Sequence, residues 1–323
     1  MNRLLLPFVL LIVPLIAASP VARAQWSGVT PDMWKEISAQ RALFDDPNDC
    51  QARIAALPSQ GKTIEPGADI GDALAANAAV FLKPGRYDLA DGQNLVVPAG
   101  KKLIGIGEVV IYGGDQIVVQ SNAALVNVTI DGARLNGVNF YDRTKRSGSS
   151  GALVYRFKAI RTGYNDPAGT GAGGIRVTEK ASYNCVVSSS ASMTWNTLGA
   201  PNANGGNSDG VNNSFGAHHN TFIDVHAFNN GDDGFDMWEG GQSYWYFCDA
   251  HDNGKVPGKV NEGDGNGIKL GTGRVAHKFY KTTANDNRTG GFNLNANTVQ
   301  PVLSRSSAAG NPLGDFMNGT VAP

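Results

Sequence analysis

Four short stretches of the chain put acids in line with a lysine: Asp209-Gly210-Val211-Asn212, Asp233-Gly234-Phe235-Asp236, Asn266-Gly267-Ile268-Lys269 and Gly290-Gly291-Phe292-Asn293. The shared pattern is a polar residue, a glycine, an apolar residue and a polar residue, with Gly290 filling the first slot of the last stretch. If each stretch is a strand stacked on the next at about 4.8 Å, Asp209 lies under Asp233 and Asp236 under Lys269. Carboxylates stacked this closely repel unless a cation stands between them. Asp232 adds a further acid within Asn230–Asp236. Asp209, Asp232, Asp233 and Asp236 could therefore supply most of the oxygen ligands that Ca²⁺ requires. Asp-Asp-Gly alone is also an ordinary turn sequence. The stack with Asp209 is what favours the metal reading.

Lys269 alternates with Ile268 and Leu270 and has glycines at 265, 267 and 271, so its side chain faces outward with room for a ligand. A divalent cation nearby disfavours the ammonium form and makes the amine a usable base. Calcium and a base on an extended face suit a polyuronate. The C5 proton beside the uronate carboxylate is weakly acidic, and a cation stabilises the charge that develops when it leaves. Loss of the C4 glycosidic oxygen then gives β-elimination, leaving an unsaturated sugar.

The elements that must hold these residues follow from the spacing. The glycines of the four stretches are 24, 33 and 24 residues apart. A second column, Ala-x-x-Asn beginning at Ala227, Ala250, Ala284 and Ala308, has spacings of 23, 34 and 24. Repeats of this length indicate an all-β parallel solenoid, one turn per repeat. The long step predicts an insertion within Lys255–Gly265 that overhangs Lys269. Asn230, Asn253, Asn287 and Asn311 predict an amide ladder at one turn. Gly174-Ile175-Arg176-Val177 reads as an earlier member of the first column, which puts Arg176 on the face of Asn212, Asp236 and Lys269. Val109–Tyr112 and Leu125–Ile130 read as strands, and Ala79–Leu89 as strand, Pro-Gly turn and strand. Ser27–Leu57 has helical spacing and reads as a helical cap over the open N-terminal end.

Residues 1–24 read as a signal peptide, with Arg3, an apolar run Leu4–Ala18 and the cleavage site Ala22-Arg23-Ala24. A secreted, soluble monomer is expected, with a cap segment at 25–65 and a catalytic solenoid at 66–323. The formal net charge of −1 gives no electrostatic case for nucleic acid or for an anionic membrane. The three cysteines, Cys50, Cys185 and Cys248, are read as buried thiols, with a bridge involving Cys50 left open.

The stretches around Ser208-Asp209-Gly210, Asn230-Gly231-Asp232-Asp233-Gly234-Phe235-Asp236-Met237-Trp238, Gly265–Gly271 and Gly291-Phe292-Asn293 together resemble the family 9 polysaccharide lyases. These are pectate lyases built as right-handed parallel β-helices. The resemblance implies Ca²⁺ ligation by Asp209, Asp232, Asp233 and Asp236, Lys269 as the Brønsted base, and an acidic polygalacturonate-like substrate. Val211-Asn212-Asn213-Ser214 is more polar than the family pattern, which bears on substrate identity rather than mechanism.

Arg176 and Arg274 are candidates for binding a substrate carboxylate, and Trp238 for stacking on a sugar ring. Tyr244, Trp245 and Tyr246 are either sugar contacts or core, and Arg288 is a weaker candidate. His218, His219 and His277 read as polar turn residues. Three other readings compete. A lyase could act on another polyuronate, such as alginate or a bacterial exopolysaccharide. A glycoside hydrolase could use Asp232 and Asp233. A non-catalytic β-helix could bind polysaccharide and would be indifferent to loss of Lys269.

Overall fold

The computed structural model describes residues 28–142, 144–164, 172–196, 206–259, 263–273, 275–294 and 299–318. The segment read as a signal peptide lies outside them. Within them the chain coils into a parallel β-helix with three strand faces. The front face runs Asn94–Val97, Gln116–Val119, Val138–Asp142, Ala172–Val177, Ser208–Asn213, Phe235–Met237, Ile268–Leu270, Gly290–Leu294 and Gly314–Met317, each strand parallel to the next. A second face passes through Ala79–Leu82, Ala124–Val126, Ser243–Tyr246 and Lys278–Tyr280, and a third through Gly85–Leu89, Asp249–His251 and Thr283–Asn285. Strands Cys185–Ser192 and Asn220–Phe228 are long enough to cross from second to third face. Among the described residues no helix is long and apolar enough to cross a membrane.

Period-2 alternation puts Ile175, Val211, Phe235, Ile268 and Phe292 inside, all fully buried. Opposite them the second face contributes Phe222 and Trp245, whose rings stack at 3.9 Å and 5°. Trp245 is therefore core and not a sugar contact. The glycine column follows from crowding: a Cβ at Gly234 would stand 2.6 Å from the Gly267 carbonyl oxygen and 2.6 Å from Asn253 Nδ2. Only glycine lets the turn come this close.

The asparagine ladder forms as expected. Asn230 Nδ2 donates to Asn253 Oδ1 at 2.9 Å, Asn253 Nδ2 to Asn287 Oδ1 at 3.0 Å, and Asn287 Nδ2 to Asn311 Oδ1 at 3.1 Å. A second buried pair, Asn184 Nδ2 to Asn220 Oδ1 at 3.0 Å, serves the opposite turn.

The N-terminal helices are present, but their placement differs from a lid over the open end. Helix α1 (Pro31–Phe44), capped by Thr30 Oγ1 at 3.2 Å from Met33 N, and helix α2 (Cys50–Ala55) pack on the outer side of the second face. Ile37 and Phe44 share a buried cluster with Val126, Leu153, Val187, Ile223 and Tyr246, residues from successive rungs. The apolar outer positions of that face require a cover, and α1 supplies it. Tyr244 and Tyr246 are thus buried under this segment, donating to Asp45 O at 3.2 Å and Asp46 Oδ2 at 3.1 Å. Helix α3 (Ile70–Ala76) closes the first turn, adding Ile70 and Leu74 to the main core. The reading of three buried thiols holds only for Cys248. Cys50 is joined to Cys185, because α2 lands on the second face next to that rung, a proximity that a separation of 135 residues does not reveal.

Truncating the ladder orphans several buried groups at once. Asn253→Ala removes the acceptor for Asn230 Nδ2 and the donor to Ala227 O. A loss of about 3 kcal/mol or more is expected by chemical denaturation, and a loss under about 1 kcal/mol would show that the ladder is dispensable.

Candidate active site

The front face carries two outward columns across its middle strands. In register, Arg176 pairs with Asn212, Asn212 with Asp236, Asp236 with Lys269, and Lys269 with Asn293. The column beside it holds Asp209, Asp233 and Asn266 at the entrances to the same strands. Asp209 Oδ1 accepts from Asp233 N at 3.1 Å, and Asp233 Oδ1 accepts from Asn266 N and Nδ2, both at 2.8 Å. The stacking expected from the four stretches is therefore observed.

Carboxylate oxygens of Asp209, Asp232 and Asp233 converge within 4.8 Å of one another, although these residues are only 3%, 4% and 0% exposed. Asp236 stands in the neighbouring column and is not part of that group of three. Its Oδ1 is shielded from solvent and has no hydrogen-bond donor among the described residues, while Asp233 Oδ2, equally shielded, faces the Lys269 ammonium. Backbone amides hold Asp232: Asn207 N donates to Oδ2 at 2.8 Å, Asp264 N to Oδ1, and Gly265 N to Oδ1 at 3.4 Å. The insertion seen in the spacing is thus tied down on Asp232.

Burial raises the pKa of all four aspartates, and their mutual repulsion adds to the rise in Asp209, Asp232 and Asp236. Asp236 is pushed up to about 8 by burial and by Asp233, against the pull of Lys269. An all-oxygen set of converging carboxylates with unsatisfied buried oxygens fits a hard divalent cation such as Ca²⁺.

Lys269 supplies positive charge to this cluster. Its Nζ is 3.2 Å from Asp233 Oδ2, donates to Asp264 Oδ2 at 2.7 Å, and lies 5.9 Å from the Trp238 ring centre. The side chain is only 12% exposed. Burial disfavours its ammonium, but Asp233, Asp236 and Asp232 outweigh that and push its pKa up. Lys269 thus serves as a counter-ion to these aspartates.

A cleft of about 340 Å³ opens over these columns, lined by Arg176, Asn212, Phe215, Asp236, Trp238 and Lys269 among others. Arg176 and Trp238 are therefore brought to the site, while Arg274 lies outside the described residues. Asp264, Asn266 and Asn212, which donates to Asp209 Oδ2 at 2.6 Å, were not singled out from the sequence. Asn212 and Asn266 occupy polar slots of the repeating pattern, so the columns carried that signal. Asp264 lies in the insertion, where no repeat applies. The histidines differ: His277 is buried, 2.8 Å from Ser243 Oγ, and His218 and His219 pair through their Nδ1 atoms at 2.8 Å.

Residues 59–319 match the family model described as Pel9A-like, right handed beta helix region. None of the curated proteins matches this sequence. Among solved structures, the pectate lyase Pel9A is similar at a TM-score of 0.61 and 18% identity, over 83% of this chain and 82% of that one. A rhamnogalacturonan lyase aligns at a TM-score of 0.45 and 18% identity, over 68% of this chain and 62% of that one. The A-module of Azotobacter vinelandii mannuronan C-5 epimerase AlgE4 aligns at 0.29 and 16%, over 80% and 96%.

The acid cluster makes a pH-dependent prediction. A carboxyl whose folded pKa is raised from 3.8 to about 8 stabilises the fold at low pH and loses that contribution as pH climbs through 8. In chelator at pH 8.5, Asp236→Asn should therefore unfold at a higher temperature than the parent, with the difference shrinking toward pH 4. Added Ca²⁺ should stabilise the parent more than the variant. A variant less stable than the parent in chelator at pH 8.5 would contradict this electrostatic account.

Proposed function

Because the chain belongs to the Pel9A-like right-handed β-helix family, we propose that it is a secreted, calcium-dependent polysaccharide lyase that cleaves pectate or polygalacturonate by β-elimination. The observation that carries this reading is Lys269 Nζ, shielded in a cleft and 3.2 Å from Asp233, beside three converged buried carboxylates. The proposal includes residues 25–65 as an accessory N-terminal segment and 66–323 as the catalytic solenoid.

Asp209, Asp232, Asp233 and Asp236 would hold Ca²⁺, with Asp236 contributing from the adjacent column. When bound, the ion neutralises a substrate uronate carboxylate and acidifies the neighbouring C5 proton. Lys269 Nζ accepts that proton, the C5–H electrons become a C4–C5 double bond, and the C4–O bond breaks with the glycosidic oxygen leaving. Before it can act, Lys269 must lose the proton that the aspartates hold on it. Asp264 orients the Nζ through its 2.7 Å hydrogen bond. Arg176 would bind a second uronate carboxylate along the cleft, and Trp238 would flank a sugar ring.

The arrangement disfavours the hydrolase reading. Hydrolysis by paired carboxylates needs two groups on opposite sides of the scissile bond, about 5 to 9 Å apart. Oxygens of Asp232 and Asp233 instead lie within 4.8 Å of one another and of Asp209, and amides hold both oxygens of Asp232 and Oδ1 of Asp233.

Ultraviolet absorbance of unsaturated uronate ends on polygalacturonate tests this directly, with alginate and exopolysaccharides as comparison substrates. Absorbance should rise with Ca²⁺ and stop with excess chelator, and the rate should rise toward alkaline pH. Lys269→Ala should lower kcat by about 10²- to 10⁴-fold with an unchanged circular dichroism spectrum. Full turnover in that variant would refute the base assignment, and a rate maximum in acid would refute elimination by lysine. Separately, Arg176→Ala should raise KM about tenfold with kcat little changed. An unaltered KM would remove Arg176 from the substrate path.

A further inference from the structure

On the front face, strand Val138–Asp142 pairs in parallel with both of its neighbours, yet its end folds back as an antiparallel hairpin. Tyr141 lies opposite Gly148 and Asp142 opposite Ser147. The hairpin is pinned at its base. Asp142 is 1% exposed and accepts from Ser121 Oγ at 2.8 Å, Thr144 N at 3.1 Å and Lys145 N at 3.3 Å. On the return limb, Ser147 Oγ and Gly148 N both donate to Glu179 O, at 3.1 Å and 2.7 Å. The tip carries Lys145 and Arg146, both exposed. Lys145 Nζ lies 3.7 Å from Asp142 Oδ2, and Arg146 has no carboxylate partner among the described residues.

Register places this tip at one end of the cleft. Asn139 pairs with Arg176, a cleft-lining residue, so the hairpin leaves the front face one rung before it. The return limb presses on the cleft wall: a Cβ at Gly148 would stand 2.5 Å from the carbonyl oxygen of Thr178, another lining residue. Lys269 lies in the opposite direction, three pairings beyond Arg176, or about 14 Å at 4.8 Å per rung. Cations therefore continue past Arg176 on the side away from Lys269. A polyuronate carries one carboxylate per sugar, so a chain leaving the cleft at this end brings anions to the tip. A cationic turn is ordinarily a solvated surface. This one is held by a buried carboxylate and packed against the cleft wall, which fixes its charges beside the path.

We propose that Lys145 and Arg146 extend the substrate track, binding carboxylates of an acidic polysaccharide beyond Arg176 on the side away from Lys269. The inference rests on the lyase reading for the end at which the chain reacts, while its binding content needs only a polyuronate in the cleft. Its consequence is selection by length. An oligomer has to reach from Lys269 past Arg176 before it gains these contacts, so long chains are favoured over short ones. Exposed ion pairs contribute only a few-fold each and weaken as salt screens them. Contacts this far from the reacting bond hold substrate and transition state alike, so they act on KM and leave kcat little changed.

The test compares the parent, the double variant Lys145→Ala/Arg146→Ala, and Lys158→Ala, which removes an exposed lysine from the third face. Binding of polygalacturonate and of a galacturonate trimer is measured by calorimetry at low salt, and turnover of both by ultraviolet absorbance in Ca²⁺. The double variant should bind polygalacturonate about fivefold more weakly, with KM raised to match and kcat little changed. The loss should be smaller on the trimer and should shrink in high salt, and Lys158→Ala should match the parent. The proposal is overturned if the double variant binds polygalacturonate like the parent, if trimer and polymer lose equally, if Lys158→Ala loses as much, or if polygalacturonate does not bind the parent. Weakened binding in the double variant without unsaturated product from the parent would keep the track and remove the lyase reading. Product formed with an unchanged KM in the double variant would do the reverse. Should the double variant misfold by circular dichroism, Lys145→Gln and Arg146→Gln carry the same test singly, each with a loss of about twofold.

Discussion

Buried like charge is the constraint around which the front face is arranged. Parallel stacking brings Asp209, Asp232 and Asp233 together with oxygens within 4.8 Å, all three nearly buried. At an effective dielectric of about 20, two carboxylates at that distance repel by about 3.5 kcal/mol. A fold selected for stability alone would have no use for such a cluster. Lys269 offsets part of the repulsion through Asp233 Oδ2, backbone amides offset another part, and Asp236 Oδ1, without a donor among the described residues, marks what remains. One cluster could thus hold a cation, and a lysine stands beside it.

The rest of the solenoid keeps these groups from relaxing apart. The asparagine ladder locks each turn to the next just before the acids enter their strands, and the glycine column lets the turns approach closely enough to stack. Phe222, Trp245 and Phe235 fill the interior behind the cluster, so the strands cannot slip without moving large rings. On the far side, α1 and the Cys50–Cys185 bridge brace the second face across several rungs.

Much of this was legible because a solenoid converts sequence spacing into spatial neighbours. Two columns with the same short, long, short steps gave the strand register, and from it Asp236 beside Lys269 and Arg176 beside Asn212 followed directly. Legibility ended where the repeat ended. The landing place of α1 and α2 depends on tertiary packing of an apolar outer face, so neither the flank position nor the Cys50–Cys185 pairing could be read. Trp245 and its tyrosine neighbours alternate regularly, yet alternation does not say whether the outer face is wet or covered. Asp264 approaches Lys269 from the insertion, which has no counterpart in neighbouring turns.

The claim at the centre of this account is that the acid and lysine columns remove a proton from the substrate and add no water to it. Mass spectrometry of the products formed from a defined oligogalacturonide in Ca²⁺ tests it most directly. Elimination predicts fragments whose masses sum to that of the starting oligomer. Fragments that together carry one additional water would contradict it and return the cleft to hydrolytic chemistry.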